Sequence, residues 1–158
     1  MNDANAAGGR QPASPSEARS AAREDIRARG LRATPARIAA LVEIRRAAAP
    51  LTHAELAERL AASGVDKATA FRNLNDLAGA GLLRRSELGD HLWRFEATDP
   101  QQEEGEGHPH FLCVDCGSVT CLGDVQLTAG SRRRSAAVGT ITEILLRGYC
   151  HDCGPAAG

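Results

Sequence analysis

Two Cys-x-x-Cys pairs constrain the fold of this chain more than any other feature of its sequence. One pair is Cys113 and Cys116, the other is Cys150 and Cys153, and 33 residues separate them. Each pair makes a tight turn that presents two thiolates, and two such turns supply the tetrahedral shell of four sulfurs that Zn²⁺ prefers in structural sites. The pattern therefore predicts a structural zinc site that clips the C-terminal end of the chain to a sheet. Two unrelated redox or disulfide pairs are the alternative.

The charged residues divide the chain into a basic and an acidic half. Residues 19–94 carry 14 Lys and Arg but 9 Asp and Glu, whereas residues 95–158 carry 4 and 9. We expect two modules with different partners, of which the basic one faces nucleic acid. A chance imbalance of charge is the alternative.

The sequence also bears on where the chain works. It has no apolar run long enough to cross a membrane. Residues 1–18 lack the apolar segment of a secretory signal and are rich in Ala, Gly, Pro and Ser, so a disordered tail is predicted there. We therefore expect a cytoplasmic protein whose cysteines are metal ligands or free thiols and not disulfides.

The basic half has the pattern of a winged helix-turn-helix domain over residues 19–97. Three helix-start signals, each a Thr or Asp before a helical stretch, occur at Thr34, Thr52 and Asp66. Two strands are predicted over 82–85 and 91–97, with a turn at Gly89-Asp90 between them. Helices followed by a hairpin that carries arginines are typical of a DNA-binding winged helix.

The helix predicted after Asp66 has an apolar and a polar face. The apolar residues recur at helical spacing and are predicted to be buried: Ala70, Leu74 and Leu77. The outer face offers the guanidinium of Arg72, with the ring of Phe71 on its flank, to the major groove of DNA. A small helical domain with a solvated arginine face is the alternative.

The acidic half is predicted to be a hinge followed by a metal-binding module. Residues 98–107 are polar, acidic and Gly-containing, which favours a linker, and residues 108–158 hold strand-like runs around the cysteines. His108 and His110 are two apart on a predicted strand, so both imidazoles lie on one face. With Cys121 on the neighbouring strand they make three ligands of a second tetrahedral site.

Two other classes of protein would use the same residues. A zinc ion with an open position could activate water, but no Glu adjoins the His-x-His pair as in zinc hydrolases, so we do not expect an enzyme. A zinc ribbon that binds proteins and not DNA is the second alternative. It would leave the basic helix and hairpin unexplained.

Four motifs follow one another along the chain: R32-A-T-P-A-R37, T69-A-F-R72-N-L, H108-P-H-F-L-C-V-D-C-G and G148-Y-C-H-D-C. In order and spacing they resemble the ferric uptake regulator family, from about Arg29 to Cys153. The resemblance implies an α+β protein with an N-terminal winged helix-turn-helix domain and a small C-terminal α/β dimerisation domain. It also implies a homodimeric, metal-dependent repressor that binds a double-stranded DNA operator.

The roles of family residues carry over at the positions that match. The four Cys-x-x-Cys cysteines match the structural zinc ligands. The regulatory metal ligands implied are His53, Glu96, His108, His110 and Cys121. The DNA-binding residues implied are Arg32, Thr69, Phe71 and Arg72. His53 is the least direct match, because the family's histidine stands just before the third helix, where this chain has Pro50; a helical residue without a metal is the alternative.

Departures from the family pattern bear on the metal that is sensed. Cys121 stands where many members have a carboxylate, and a thiolate favours Zn²⁺ over Fe²⁺ or Mn²⁺. The peroxide-sensing branch typically carries Asp where this chain has Glu96, which weighs against that role. Phe71 replaces the usual Tyr, so a hydroxyl hydrogen bond is lost while ring contact with a thymine methyl remains. We therefore expect a zinc-responsive repressor of metal homeostasis, with regulatory Fe²⁺ or a peroxide-stress role as alternatives.

Overall fold

The computed structural model describes residues 14–98, 109–123, 125–141 and 143–154. Its helices are α1 (Pro15–Ala28), α2 (Pro35–Arg46), α3 (His53–Leu60), α4 (Lys67–Gly79) and α5 (Ala129–Ala136). Its strands are β1 (Leu51–Thr52), β2 (Leu83–Glu87), β3 (Trp93–Ala97), β4 (His110–Cys113), β5 (Val119–Cys121) and β6 (Leu145–Gly148). A 3-10 turn, Ala61–Ser63, follows α3.

Side-chain caps begin the helices where the sequence predicts them. The side-chain oxygens of Thr34, Thr52 and Asp66 accept hydrogen bonds from backbone N–H groups in the first turns of α2, α3 and α4. At α3 the carboxylate of Glu55 accepts a return bond of 2.7 Å from the N–H of Thr52, which completes a capping box. These bonds satisfy donors that the helix cannot pair internally, so each start is set locally.

The first described helix begins inside the segment predicted as a tail, residues 1–18. Helix α1 begins at Pro15 because Ser14 and Glu17 form a second capping box. The helix is held in place by Ala22 and Ile26, which are fully buried. The rest of the predicted tail, residues 1–13, lies outside the described residues.

Helices α1 to α4 and a three-stranded sheet share one hydrophobic core. The apolar residues predicted for the inner face of α4 are buried, namely Ala70, Leu74 and Leu77, and α2 buries Ile38, Leu41 and Val42. Full burial of a Leu or Ile side chain stabilises a fold by about 1.5–3 kcal/mol. The sheet has the order β1-β3-β2 with antiparallel pairs. This arrangement is a winged helix, as predicted, with the β2–β3 hairpin as its wing.

The turn of the wing decides which side chains leave the helical core. Gly89 takes a left-handed conformation with φ of 82°, which glycine adopts without a steric penalty. The resulting register places Arg84 opposite Glu96 and Arg85 opposite Phe95. Successive strand residues point to opposite faces, so Phe95 is buried in the core while Glu96 faces the C-terminal half of the chain.

The C-terminal module is a three-stranded sheet in the order β5-β4-β6. Strand β4 pairs antiparallel with β5 and parallel with β6. Between β5 and β6, helix α5 has no buried residue. The mixture of a winged helix and a small α/β module confirms the predicted fold class.

The hinge predicted at residues 98–107 is described only at Thr98. The N–H of Thr98 donates to the carbonyl of Leu82 over 3.1 Å, and its hydroxyl donates to the carbonyl of Gly81 over 2.9 Å. The end of the wing is therefore anchored up to Thr98, the first residue of the predicted hinge. In the part of the chain that the structure describes, no helix has the length and apolarity needed to cross a membrane.

Candidate metal centres and nucleic-acid surface

Four cysteines meet at the ends of two neighbouring strands. Cys113 ends β4, and Cys150 follows the parallel strand β6, whose Gly148 lies opposite Cys113. Cys116 and Cys153 lie in the turns that come next. All four Sγ atoms lie within 4.8 Å of one another. We call this group the four-cysteine cluster.

Hydrogen bonds within the four-cysteine cluster favour ionisation of one thiol and disfavour that of another. The backbone N–H of Cys150 donates to Sγ of Cys113 over 3.4 Å. This bond, with a smaller contribution from the N–H of Cys116, lowers the pKa of Cys113 to about 6. Hydrogen bonds with Cys150 and then Cys116 raise the pKa of Cys153. Four negative sulfurs at this spacing repel one another unless a cation lies among them.

The donor set of the four-cysteine cluster fits a structural zinc ion. Sγ of Cys116 lies 3.8 Å from Sγ of Cys150. A tetrahedral shell with Zn–S bonds of about 2.3 Å has sulfurs about 3.8 Å apart, whereas a disulfide would need about 2.05 Å. All five cysteines of the chain are free. The predicted alternative of two disulfide pairs is therefore absent from the structure.

A second cluster joins the two modules. It consists of the carboxylate of Glu96 on β3, the imidazole of His110 on β4 and the thiol of Cys121 on β5, whose donor atoms lie within 4.8 Å of one another. His110 and Cys121 are directly opposed in the β4–β5 pair. Nε2 of His110 lies 3.2 Å from Oε2 of Glu96. We call this group the bridging cluster, because Glu96 belongs to the wing and the other two to the C-terminal sheet.

Burial disfavours unbalanced charge in the bridging cluster. The side chains of His110 and Glu96 are 2% and 11% exposed. Burial raises the pKa of the Cys121 thiol, and the charge of Glu96 raises it further. Burial also raises the pKa of the carboxyl of Glu143, which interacts with the charges of His110 and Glu96. A divalent cation among these donors would favour the thiolate and carboxylate forms instead.

The donor set of the bridging cluster fits a transition-metal ion. One nitrogen, one oxygen and one sulfur donor are ligands that Zn²⁺ accepts in tetrahedral sites, at about 2.0–2.3 Å each. Such bonds place the donors about 3.3–3.8 Å apart, so the observed spread within 4.8 Å needs only small movements to close on an ion. The thiol favours Zn²⁺, while the imidazole and carboxylate also suit Fe²⁺.

Of the two remaining predicted regulatory ligands, one is not described and the other lies away from the bridging cluster. His108 lies outside the described residues, so its role as a ligand stays a prediction. His53 lies beside α4, with Nε2 3.0 Å from the carbonyl oxygen of Lys67 and its ring edge-to-face with Phe71 at 5.3 Å between centroids. The structure does not place His53 beside Glu96, His110 and Cys121. His91 is exposed at the tip of the wing.

The outer face of α4 carries an ordered polar network. The carboxylate of Asp66 accepts hydrogen bonds of 2.9 and 2.7 Å from the N–H and hydroxyl of Thr69. Nη2 of Arg72 donates to the hydroxyl of Thr69 over 3.3 Å. Phe71 is 52% exposed, and Arg32 is exposed as well. The four residues predicted to contact DNA therefore lie at the surface of the winged helix.

Two charged residues beside the bridging cluster were not singled out from the sequence. Nη1 of Arg84 lies 3.9 Å from Oε1 of Glu96, and Glu143 lies just before β6. The hairpin register could have identified Arg84, because the position of the turn sets which strand residues are opposed. Glu143 reaches the cluster through the parallel pairing of β4 with β6, which no local pattern encodes.

The fold and the two clusters together define a winged-helix protein with two candidate metal centres. The winged helix is joined to a small mixed sheet. The four-cysteine cluster lies inside the sheet module, and the bridging cluster lies between the modules. Comparison with known families agrees, because the model of the ferric uptake regulator family matches residues 28–144. The chain therefore belongs to the ferric uptake regulator family. Proteins of this family are transcriptional regulators and not enzymes, in agreement with the prediction.

Individual relatives are similar over part of their length. The ferric uptake regulation protein of Escherichia coli (strain K12) is 33% identical over 88 residues, which cover 54% of this chain and 56% of that protein. The crystal structure of the Vibrio cholerae ferric uptake regulator has a TM-score of 0.64 at 23% identity, covering 81% of this chain and 98% of that one. A zinc uptake regulator complexed with zinc and DNA has a TM-score of 0.57 at 17% identity, covering 89% of this chain and 95% of that one. These structures share the fold.

Proposed function

We propose that this chain is a metal-dependent DNA-binding transcriptional repressor of metal homeostasis, which acts as a homodimer in the cytoplasm and responds to zinc. One observation carries the proposal: the bridging cluster takes one donor from the wing and two from the C-terminal sheet. An ion held there constrains the angle between the module that binds DNA and the module that forms the dimer. Membership of a family of regulators supports the same function.

The regulatory site consists of Glu96, His110 and Cys121, with His108 as the fourth ligand. When bound, the ion supplies a rigid link among donors from both modules. Without the ion, the contact of 3.2 Å between Glu96 and His110 holds the modules less firmly than a set of metal–ligand bonds, since one charge-assisted hydrogen bond contributes only about 1.5–3 kcal/mol. Loss of the ion therefore shifts the population toward other angles between the modules.

Recognition of DNA takes place through α4. Arg72 faces base edges in the major groove, where a guanidinium reads guanine, and Phe71 packs against a thymine methyl. Thr69 and Arg32 contact the phosphate backbone and set the register of the helix on the operator. In a homodimer two copies of α4 reach successive major grooves about 34 Å apart, so the angle between modules determines whether both can bind at once.

The four-cysteine cluster has a different role from the bridging cluster. All of its ligands belong to the C-terminal module, so an ion there cannot set the angle between modules. We assign it a permanently bound structural Zn²⁺ that fastens the end of β6 to the end of β4. Its stabilising effect replaces part of the hydrophobic core that so small a sheet lacks.

The choice of regulatory metal depends on Cys121. A thiolate among the donors favours Zn²⁺ over Fe²⁺ and Mn²⁺. A repressor that responds to iron is the second candidate, because the Escherichia coli relative is a ferric uptake regulation protein. A role in peroxide stress has less support, since Glu96 stands where that branch of the family typically carries Asp.

The test is fluorescence anisotropy with operator DNA from the promoter of the chain's own gene, at a fixed and stated salt concentration. Protein that keeps its structural zinc is titrated with Zn²⁺, Fe²⁺ or Mn²⁺ separately, beside a Cys121→Ser variant. Tight binding with Zn²⁺ at the lowest free concentration, weakened in the variant, is the expected result. Tight binding with Fe²⁺ alone would favour the second candidate. Equal binding with no added metal would contradict regulation by the bridging cluster.

A further inference from the structure

We propose that Arg84 tunes the affinity of the bridging cluster for its metal ion through its charge, because it pairs with Glu96 and competes with the ion for that carboxylate. The inference rests on the proposed function, since it takes the bridging cluster to be a metal site. Arg84 is not one of the three donors; it lies on β2, the strand paired with the one that carries Glu96.

Among the described residues, two side chains contact the carboxylate of Glu96 from different strands. Oε2 lies 3.2 Å from Nε2 of His110, and Oε1 lies 3.9 Å from Nη1 of Arg84. Arg84 and Glu96 are directly opposed on β2 and β3, so their side chains leave the same face of the sheet. The backbone ladder therefore places the Cβ atoms of Arg84 and Glu96 side by side, which keeps the guanidinium within reach of the carboxylate.

Arg84 acts on the cluster through its charge. At 3.9 Å the pair is an ion pair and not a hydrogen bond, so it does little to orient the carboxylate. Two consequences act in the same direction. The guanidinium stabilises the carboxylate while the ion is absent, and it repels a divalent cation once the ion is present. Both effects weaken metal binding relative to a neutral side chain.

The size of the effect is limited by solvent. The side chain of Arg84 is 32% exposed, and a partly exposed ion pair changes an equilibrium by about twofold to fivefold. Repulsion between a unit charge and a divalent ion a few ångströms further away adds a similar factor. We therefore expect a neutral residue at position 84 to tighten metal binding by about threefold to tenfold. Added salt should shrink this gain.

The next residue along the strand provides a matched control. Arg85 lies on the opposite face of the hairpin, with its guanidinium 4.1 Å from the ring centroid of Trp93. Replacing it removes the same charge from the same strand without touching Glu96. An effect of net charge, or of damage to the wing, would appear in both variants, whereas competition for Glu96 would appear in one.

The experiment measures Zn²⁺ affinity directly, without DNA, by competition with a chromophoric chelator on protein that keeps its structural zinc. Arg84→Met is expected to bind the second Zn²⁺ about threefold to tenfold more tightly than wild type, while Arg84→Lys and Arg85→Met stay within about twofold. In a Glu96→Gln background the Arg84→Met gain should be reduced, because the shared carboxylate is gone. Arg84→Gln replaces Arg84→Met if the latter does not fold.

Two failures are distinguishable. The proposed function fails if wild type binds no second Zn²⁺, or if Cys121→Ser does not weaken the binding of that ion. This inference then fails with it. If the second Zn²⁺ binds and depends on Cys121, but both neutral variants at position 84 bind it no more tightly than wild type, only this inference is overturned. An equal gain in Arg85→Met would also overturn it.

Discussion

The carboxylate of Glu96 lies 3.2 Å from Nε2 of His110, although the two residues belong to different modules. Glu96 reaches this position because the wing register turns it away from Phe95 and the helical core. His110 is presented from β4 toward Cys121 on β5. Through this pair, a structural change in the sheet module can move the wing, and several predictions depend on it.

Replacing Cys121 should change the preference of the bridging cluster among metals. Cys121→Ser is expected to weaken Zn²⁺ binding by about tenfold or more, because a neutral hydroxyl replaces a thiolate ligand. Cys121→Asp, which restores a negative but harder donor, should recover Fe²⁺ and Mn²⁺ binding better than Zn²⁺ binding. Competition titrations with each metal measure both effects. Unchanged Zn²⁺ affinity in Cys121→Ser would place Cys121 outside the regulatory site.

Replacing Cys113 should remove the structural zinc and unfold the C-terminal sheet. The apparent free energy of binding at a four-cysteine site is about 10 kcal/mol or more, which exceeds what a sheet of three short strands can replace. Cys113→Ser is expected to lose one zinc per chain, measured by metal analysis after dialysis, together with sheet signal in circular dichroism. Cys121→Ser is the control and should keep that zinc. Retention of zinc and fold by Cys113→Ser would contradict a structural role for the cluster.

Arg72 should contribute to the sequence preference of DNA binding. Arg72→Ala is expected to lower operator affinity by about 1–3 kcal/mol and to relax the preference at one base pair. Arg133, exposed on α5 in the other module, provides a control of equal charge, and Arg133→Ala should change affinity little. Anisotropy on operator and mutated operators at several salt concentrations measures this. A uniform loss on all sequences with a smaller salt slope would instead assign Arg72 to a phosphate.

The wing should lose stability in acid because of Asp90. Its carboxylate accepts bonds of 2.8 and 2.7 Å from Arg94, and this hydrogen bonding lowers the pKa of Asp90. A carboxyl with a lowered pKa in the folded state contributes stability that is present above its unfolded pKa, about 3.9, and is lost as the pH falls through the folded value. The wing is therefore expected to weaken as the pH falls below about 4.

Asp90→Asn should reproduce that loss at neutral pH. It leaves the guanidinium of Arg94, 6% exposed, without its ionic partner, and we expect a cost of about 1–2 kcal/mol, reduced because Asp90 is itself 24% exposed. Urea unfolding followed by the fluorescence of Trp93, the single tryptophan, reports on the wing. The difference between wild type and variant should narrow as the pH falls from about 5 to about 3. A difference that is constant with pH would exclude the carboxylate as its source.

His53 should affect the recognition helix more than the metal. His53→Ala is expected to cost about 1 kcal/mol of stability, since it removes the contact with the Lys67 carbonyl and the edge-to-face packing on Phe71. DNA affinity should fall because Phe71 loses its support, while Zn²⁺ affinity in the absence of DNA stays within about twofold. His53→Phe, which keeps the ring packing, should restore part of the DNA affinity. A large loss of Zn²⁺ affinity would instead make His53 a ligand.

Local patterns predicted much of the fold. The caps at Thr34, Thr52 and Asp66 begin helices because a side-chain oxygen satisfies N–H groups of the same turn, so nothing distant is needed. The apolar spacing on α4 predicted its buried face for the same reason. Helix α1 begins within the predicted tail because Ser14 and Glu17 form a capping box inside a stretch whose composition is typical of disorder.

The sequence by itself determined which chemical groups are available: two Cys-x-x-Cys pairs, a His-x-His pair, a thiol on the next strand and a basic helix. Tertiary structure decided which of the candidate ligands meet and which lie elsewhere. Glu96 joins His110 and Cys121, with Arg84 beside them, while His53 turns to α4. The reason is physical: caps and turns act over a few residues, whereas the distance between a wing and a separate sheet is set by the packing of the whole chain.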